Sequence, residues 1–239
     1  GGKLCDLLIG DSQWIGGGAE NGHYVKLNDF FDAEGISMDD FAPATVYAYA
    51  TWPKGEPNYY ALPAMGDANG WFYRKDWFAE AGLEPPHTIE RVIEAARHFN
   101  NPRRGRYGVA WNAARGTALG HTFMMTCAAF GQPIIDLPEI AGGYDADHLE
   151  RDDFRPMLDS PRAREAAEYL MELMQFSPPD ILSMSWYERV RPYAAGSVAM
   201  AYGYTLLAPY FELDKSCAAH GNTGYLPHPH GPEGAPIAP

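Results

Sequence analysis

The chain has 239 residues, of which 46% are hydrophobic and 21% are charged, and its formal net charge is −13. This composition is typical of a globular protein and argues against an intrinsically disordered chain. The acidic balance argues against nucleic acids and anionic membranes as partners, because binding to phosphates requires an excess of basic side chains.

The cysteines and the chain ends carry few signals. Cys5, Cys127 and Cys217 lack the spacing of a redox or metal motif, and their odd number predicts no disulfide framework. No apolar stretch is long enough to span a membrane, and no signal-peptide pattern is present. We expect a fragment of a longer protein, because a predicted strand begins directly after "GGK" and the chain ends in "EGAPIAP" without a closing element.

The first third of the chain predicts strands separated by short helices. "CDLLIG" (5–10) is typical of a buried strand, and a loop, a weak helix and a turn follow it. The segment 37–52 favours a helix, whose start is limited by Pro43. Two apolar, aromatic runs, "NYYALPA" (58–64) and "GWFYRKD" (70–76), predict two strands joined by a turn at "MGDAN".

The remainder of the chain alternates predicted helices and strands. Gly82 ends a short helix, Thr88 caps "TIERVIEAARHF", and Ser160 caps "PRAREAAEYLMELMQF", the clearest helix of the chain. Strands are predicted in "YGVAWN", "SVAMAYGY" and "GNTGYL", and helices in "TALGHTFMMTCAAFG" and "WYERVRPYAAG", the last distorted by Pro192. This alternation predicts α/β layering with a largely parallel sheet.

One short motif suggests catalysis. "LLIGDSQWIGGG" (7–18), in which an apolar run precedes Ser12, resembles the opening block of the GDSL-type esterases. Such enzymes also need Asp-x-x-His, and "DADH" places His148 three residues after Asp145, where an imidazole could take the serine proton. The small residue expected after the serine is absent, no glycine precedes Asn28 in "KLND", and predicted helices follow His148 where the domain should end. A serine ester hydrolase using Ser12 remains the alternative function; otherwise Ser12 is a turn hydroxyl and His148 a loop histidine.

Longer stretches resemble another family, the family 1 extracellular solute-binding proteins, which serve ABC importers of sugars and polyols. "YYALPAMGDANGWFYRKDWFAEAGLEPPHTIERVIEAARHF" (59–99) is similar to the family's central signature, in which "YALP" leads through an acidic residue to "FYNKDLFEEAGL". Four other stretches resemble further pieces of the family pattern in the same order. They are the opening "DLLIGDSQWIGGGAENGHYVKLNDFF" and, later, "LDSPRAREAAEYLMELMQFSPPD", "WYERVRPYAAGSVAMAYGY" and "GYLPHPHGPEGAP". Tyr193 and Ser197 depart from its usual Phe and Lys.

The resemblance implies an α/β, two-lobe type II periplasmic-binding-protein fold, truncated at both ends. We expect a partial lobe I over residues 1–65, lobe II over 66–225 with the first hinge crossing near 64–70, and a return toward the second crossing over 226–239. The implied function is non-catalytic binding of a sugar or polyol for delivery to the membrane permease subunits of an ABC importer. The implied protein is a monomer, either periplasmic or a cell-surface lipoprotein, although a lone lobe without binding competence is also open, because a cleft needs both lobes.

Sugar binding requires polar side chains for the hydroxyls and rings for the apolar C–H faces. Asp67, in "MGDANG" with Asn69, matches the family's acidic residue; alternatively it is a turn aspartate that caps the following backbone. On the lobe I side the resemblance implies Asp11, Gln13 and Trp14, the last as a stacking platform or as a core ring under its loop.

On the lobe II side the implied ligand-binding residues are Trp111, Arg115, Trp186 and Tyr204. The guanidinium of Arg115 could grip hydroxyls or a carboxylate, or it could be a solvated loop charge. Trp186 and Tyr204 could equally be packing residues. We expect no cofactor and no metal, since His228 and His230 lack a third ligand.

Overall fold

The computed structural model describes residues 6–141, 143–145 and 154–232. Contacts between residues divide the chain into two units, with the boundary between Gly66 and Asp67. His148 of the "DADH" motif lies outside the described residues. Within the described ranges, every helix is too short or too polar to cross a lipid bilayer.

The first unit is built from short helices and loops. Its α-helices are α1 Ile15–Glu20, α2 Asn28–Glu34 and α3 Pro43–Tyr49. The start of α3 at Pro43 agrees with the sequence, because a proline in the first helical turn costs no hydrogen bond. Gly35 ends α2 with a φ of 67°, a left-handed conformation that glycine adopts without strain.

The two strands predicted in the first unit do not form. Leu7, Leu8 and Ile9 are 91%, 66% and 80% exposed and belong to no strand. Residues 58–64 also lack strand structure, apart from an isolated bridge between Tyr59 and Thr51. Both predictions were wrong because an apolar run becomes a strand only where another strand pairs with its backbone, and the described part of this unit has none.

The second unit surrounds a four-stranded sheet. The strands, in chain order, are β1 Asn69–Arg74, β2 Tyr107–Ala110, β3 Glu139–Ile140, β4 Gly143–Tyr144, β5 Val198–Tyr204 and β6 Thr223–Leu226. The helices are α4 Lys75–Ala81, α5 Ile89–Phe99, α6 Thr117–Ala129, α7 Pro161–Met174, α8 Val190–Ala194 and α9 Pro209–Glu212. β3 and β4 form a separate pair.

The order of the main sheet is β2-β5-β1-β6. β5 is parallel to β2 but antiparallel to β1, and β1 is antiparallel to β6. The prediction of a largely parallel sheet is therefore wrong. Alternating helices and strands do favour parallel pairing, but the long connection between β1 and β5 returns the chain in the opposite direction, which no local pattern encodes.

Side-chain caps begin the two longest amphipathic helices where the sequence predicts. The Thr88 hydroxyl accepts a hydrogen bond from the Arg91 amide at 3.3 Å, and the Ser160 hydroxyl accepts one from the Ala163 amide at 3.1 Å. The helix predicted over "WYERVRPYAAG" is shorter than expected, because residues 186–189 form turns and only α8 is helical. Pro192 lies in the first turn of α8, where its missing N–H is tolerated.

β5 lies at the centre of the core. Residues 198–203 are all buried, and α5 and α8 pack against this strand. Gly108 of β2 allows a close approach of α5, since a Cβ atom at this position would lie 2.3 Å from the carbonyl oxygen of Ala96. The absence of a side chain here is a packing requirement.

His228, shortly after β6, packs against Trp71 and Tyr202 on one face of the sheet. Its Nδ1 accepts a hydrogen bond from the Trp71 indole at 3.3 Å, and the Tyr202 ring meets the imidazole edge-on at 5.6 Å between centroids. Burial lowers the pKa of His228 to about 4, and the charges of His121 and His230 act in the same direction. His228 is therefore neutral at pH 7, which leaves Nδ1 free to accept the Trp71 bond.

We expect Gly108→Ala to lower the free energy of unfolding by about 3 kcal/mol or more, because the new Cβ meets helix backbone. Gly120 of α6 is the matched control, since a Cβ there meets no atom within 4 Å. Gly120→Ala should raise stability by roughly 0.5–1 kcal/mol through helix propensity. Urea denaturation measures both changes, and equal effects at the two positions would contradict the packing argument.

We also expect stability to fall as the pH falls from 6.5 toward 4. The His228 pKa is about 4 in the folded chain, against an ordinary value of 6.5, so the unfolded chain binds more protons in this window. The difference corresponds to on the order of 3 kcal/mol. His228→Asn keeps an acceptor for Trp71 but does not titrate, and should lose less stability over the same window. Parallel profiles of unfolding free energy against pH for the two proteins would contradict this role.

Candidate functional site

Four rings pack together where β5 ends. His121, Trp186, Tyr202 and Tyr204 form this ring cluster. The centroid of His121 lies 5.5 Å from that of Trp186 and 5.8 Å from that of Tyr204, and the centroids of Trp186 and Tyr204 are 6.0 Å apart. Tyr202 is buried beneath the other three rings, which are half-buried. The cluster therefore offers flat apolar surface that is partly open to solvent.

Three elements supply the ring cluster. Tyr202 and Tyr204 are two residues apart in β5, so both side chains lie on the same face of the sheet. His121 comes from α6, and Trp186 from the turns before α8. Gly203 faces the other side, where a Cβ would lie 2.4 Å from the Phe72 ring.

The polar atoms of the ring cluster are uncharged donors and acceptors. The Tyr202 hydroxyl donates to Oδ1 of Asn69 at 3.2 Å, and Nδ1 of His121 lies 3.5 Å from the hydroxyls of both tyrosines. Burial and then the positive charge of Arg189 lower the pKa of His121, so its imidazole is neutral at pH 7. Burial raises the pKa of Tyr204 to about 12, and its hydroxyl also stays neutral.

A cation lies against the ring cluster. The Arg189 side chain is fully buried, and its guanidinium carbon is 5.0 Å from the ring centroid of Tyr204 and 5.5 Å from that of Tyr202. Burial lowers the pKa of Arg189 to about 10, which leaves it charged at neutral pH. Arg189 was not among the residues predicted from the sequence, although the spacing of Trp186, Arg189, Val190 and Tyr193 is that of one helical face.

Asp67 lies at the beginning of the second unit and contacts the turn after β5. Its Oδ1 accepts hydrogen bonds from the Thr205 hydroxyl at 2.6 Å and from the Leu206 amide at 3.0 Å. Its charge also acts on Arg189 and Tyr204. Asp67 is thus a cap next to the ring cluster, and its role as a ligand acceptor stays a prediction.

Of the predicted lobe II residues, Asn69, Trp186 and Tyr204 come together at the ring cluster. The structure places Trp111 elsewhere: its indole donates to the Ser177 hydroxyl at 3.0 Å in the core, and its ring lines an apolar cavity of about 530 Å³. Arg115 is exposed in the loop before α6 and makes no hydrogen bond or ion pair with any described residue.

The predicted lobe I residues are neighbours in the first unit. The Gln13 amide donates to Oδ2 of Asp11 at 3.2 Å. Trp14 is 53% exposed at the end of a single 3₁₀ turn, Ser12–Trp14, and is therefore not a core ring. These side chains remain candidates for ligand contact.

No serine–imidazole pair and no cluster of metal-ligating side chains is formed among the residues that the structure describes. Among the described residues, no hydrogen bond joins Ser12 to an imidazole, and the predicted partner His148 is not described. In the same ranges, no group of three or more His, Cys, Asp or Glu side chains could hold a metal ion.

Comparison with known proteins gives consistent matches. The family model described as bacterial extracellular solute-binding protein matches residues 1–238. A mannitol-binding protein of Pseudomonas aeruginosa is 29% identical over 163 residues, which cover 66% of this chain and 33% of that protein.

Two solved structures share the fold. An ABC transporter solute-binding protein from Agrobacterium radiobacter K84, in complex with ribitol, aligns over 99% of this chain and 55% of its own, with a TM-score of 0.82 and 26% identity. A maltose-bound protein of T. maritima aligns over 90% of this chain and 51% of its own, with a TM-score of 0.72 and 21% identity.

These matches have two consequences. The chain spans about half the length of the matched structures and a third of the mannitol-binding protein. The Pseudomonas and Agrobacterium relatives are named as solute-binding proteins, and nothing in these matches supports a serine ester hydrolase. The α/β fold is that of the type II periplasmic solute-binding proteins, and the chain belongs to the bacterial extracellular solute-binding protein family.

Proposed function

We propose that the chain takes part in the reversible, non-covalent binding of a sugar or polyol outside the cytoplasm, for delivery to the permease subunits of an ABC importer. The observation that carries this proposal is the ring cluster, which combines flat apolar faces with neutral hydrogen-bonding groups at the end of β5. The mannitol-binding relative and the ribitol-bound structure support the choice of ligand class.

The chemistry of the ring cluster suits a polyhydroxylated, uncharged ligand. Rings such as Trp186 and Tyr204 can cover C–H faces, while the neutral imidazole of His121 offers one donor and one acceptor to hydroxyls. Asn69 and Asp67 add acceptors at the same edge of the sheet. Binding of this kind requires no covalent step, so we propose a binding protein and not an enzyme.

The remaining predictions belong to the same proposal. Lobe I would comprise residues 1–65 and lobe II 66–225, with a return toward the second hinge crossing over 226–239. Asp11, Gln13 and Trp14 would contribute ligand contacts from lobe I, and Arg115 would add donors from lobe II. Trp111, which lies in the core, would support the site indirectly. The protein would act as a monomer, in the periplasm or as a cell-surface lipoprotein.

We expect ribitol, mannitol or maltose to raise the unfolding temperature, since a ligand that binds only the folded chain stabilises it. Tyr204→Phe should weaken the affinity about three- to tenfold, because it removes a hydroxyl from the ring cluster. Tyr210→Phe is the control, since Tyr210 is 56% exposed on α9. Isothermal titration calorimetry measures the ligand affinity of both variants. Equal affinities would show that the Tyr204 hydroxyl of the ring cluster takes no part in ligand binding.

Asp67→Asn separates the two roles proposed for Asp67. Asparagine keeps an acceptor oxygen for Thr205 and Leu206 but removes the charge. If the carboxylate accepts ligand hydroxyls, affinity should fall about tenfold while stability changes by less than about 1 kcal/mol. A loss of stability with unchanged affinity would show that Asp67 is only a cap.

A further inference from the structure

Two arginines are buried among the described residues of the second unit, and their surroundings differ. Arg74 is 6% exposed, and its Nε and Nη2 donate to the two carboxylate oxygens of Asp76 at 2.8 and 2.5 Å. Arg189 is fully buried, yet none of its three nitrogens has a hydrogen-bond partner of good geometry in the part of the chain that the structure describes. Among the described residues, no carboxylate lies within 4.0 Å of the Arg189 guanidinium.

The acidic groups whose charges act on Arg189 already have other partners. Oδ1 of Asp67 accepts from Thr205 and Leu206, and Oε2 of Glu188 accepts from the Ser185 amide at 3.1 Å. Within the described ranges, Tyr202 and Tyr204 remain as neighbours of Arg189, with its guanidinium carbon 5.5 and 5.0 Å from their ring centroids. Cation–π contacts stabilise a folded protein by less than the burial of an unpaired charge destabilises it. A contribution to stability therefore does not explain why an arginine occupies position 189.

We propose that Arg189 is a positioning residue of the ligand site. Its planar guanidinium packs against both tyrosine rings and holds their hydroxyls where they meet Asn69 and His121. It does not touch the ligand, because it is buried behind these rings. This inference rests on the proposed function, in which the ring cluster binds the ligand.

The same charge acts on His121. The groups that face this imidazole are Trp186, Tyr202 and Tyr204, the last two with neutral hydroxyls. The charged guanidinium of Arg189 and the neutral imidazole of His228 lie nearby. Burial lowers the pKa of His121 most, and the positive charge of Arg189, which disfavours a second cation, lowers it further. Removal of this charge should move the pKa of His121 upward, toward its ordinary value.

Arg189→Met and Arg189→Lys test the proposal in the 239-residue chain. Arg189→Met should leave the urea midpoint unchanged or raise it, weaken binding of ribitol and mannitol about tenfold, and raise the pKa of His121 in an NMR titration. Arg189→Lys keeps the charge but loses the planar face. It should therefore weaken binding while the pKa of His121 stays low.

Arg74→Met is the matched control. It leaves Asp76 without its partner and should lower the urea midpoint, but it should not change ligand affinity or the His121 pKa. The proposal is overturned if Arg189→Met lowers the midpoint as Arg74→Met does while affinity and the His121 pKa stay as in the wild type. If the wild-type chain binds no sugar or polyol, the proposed function fails. The midpoint and the His121 pKa then still decide whether Arg189 tunes the ring cluster.

Discussion

The antiparallel pairing of β1 with β5 is the constraint on which the site depends. It joins two segments that are far apart in the sequence, and its register sets Asn69 opposite Tyr204 and Gly203 opposite Gly70. A slip of one residue would turn Tyr202 and Tyr204 to the other face of the sheet. The close contact of Gly203 with Phe72 opposes such a slip, because no side chain fits there. The packing of the core therefore also fixes the position of the ring cluster.

The same pairing continues beyond the sheet as side-chain hydrogen bonds. The Ala68 amide donates to the Thr205 hydroxyl, and the Thr205 amide donates to the Ala68 carbonyl, while Asp67 caps the turn. The start of the second unit is thus tied to the end of β5. A ligand that contacts the ring cluster would contact a rigid edge, where the positions of donors and acceptors are set before binding.

The sequence predicts much of the second unit because its signals there are local. The caps at Thr88 and Ser160 and the apolar runs of β1, β2, β5 and β6 need only neighbouring residues to be recognised. Strand formation at residues 5–10 and 58–64, and the direction of β5 relative to β1, depend on partners distant in the sequence. Periodicity carries no information on these, and there the predictions were wrong.

The site could be predicted only in part, for a related reason. The resemblance to a family pointed to Trp186, Tyr204 and Asn69, which the structure brings together. His121 and Tyr202 sit within an apolar helix and an apolar strand and resemble core residues. Arg189 is harder still, since Arg191, two positions later, is exposed and has the same local composition. The distinguishing signal is that Arg189 shares the buried face of Val190 and Tyr193. A charged residue on an otherwise apolar helical face must either find a partner or carry a role that compensates for its cost. Among the residues that the structure describes, Arg189 meets two tyrosine rings in place of a carboxylate.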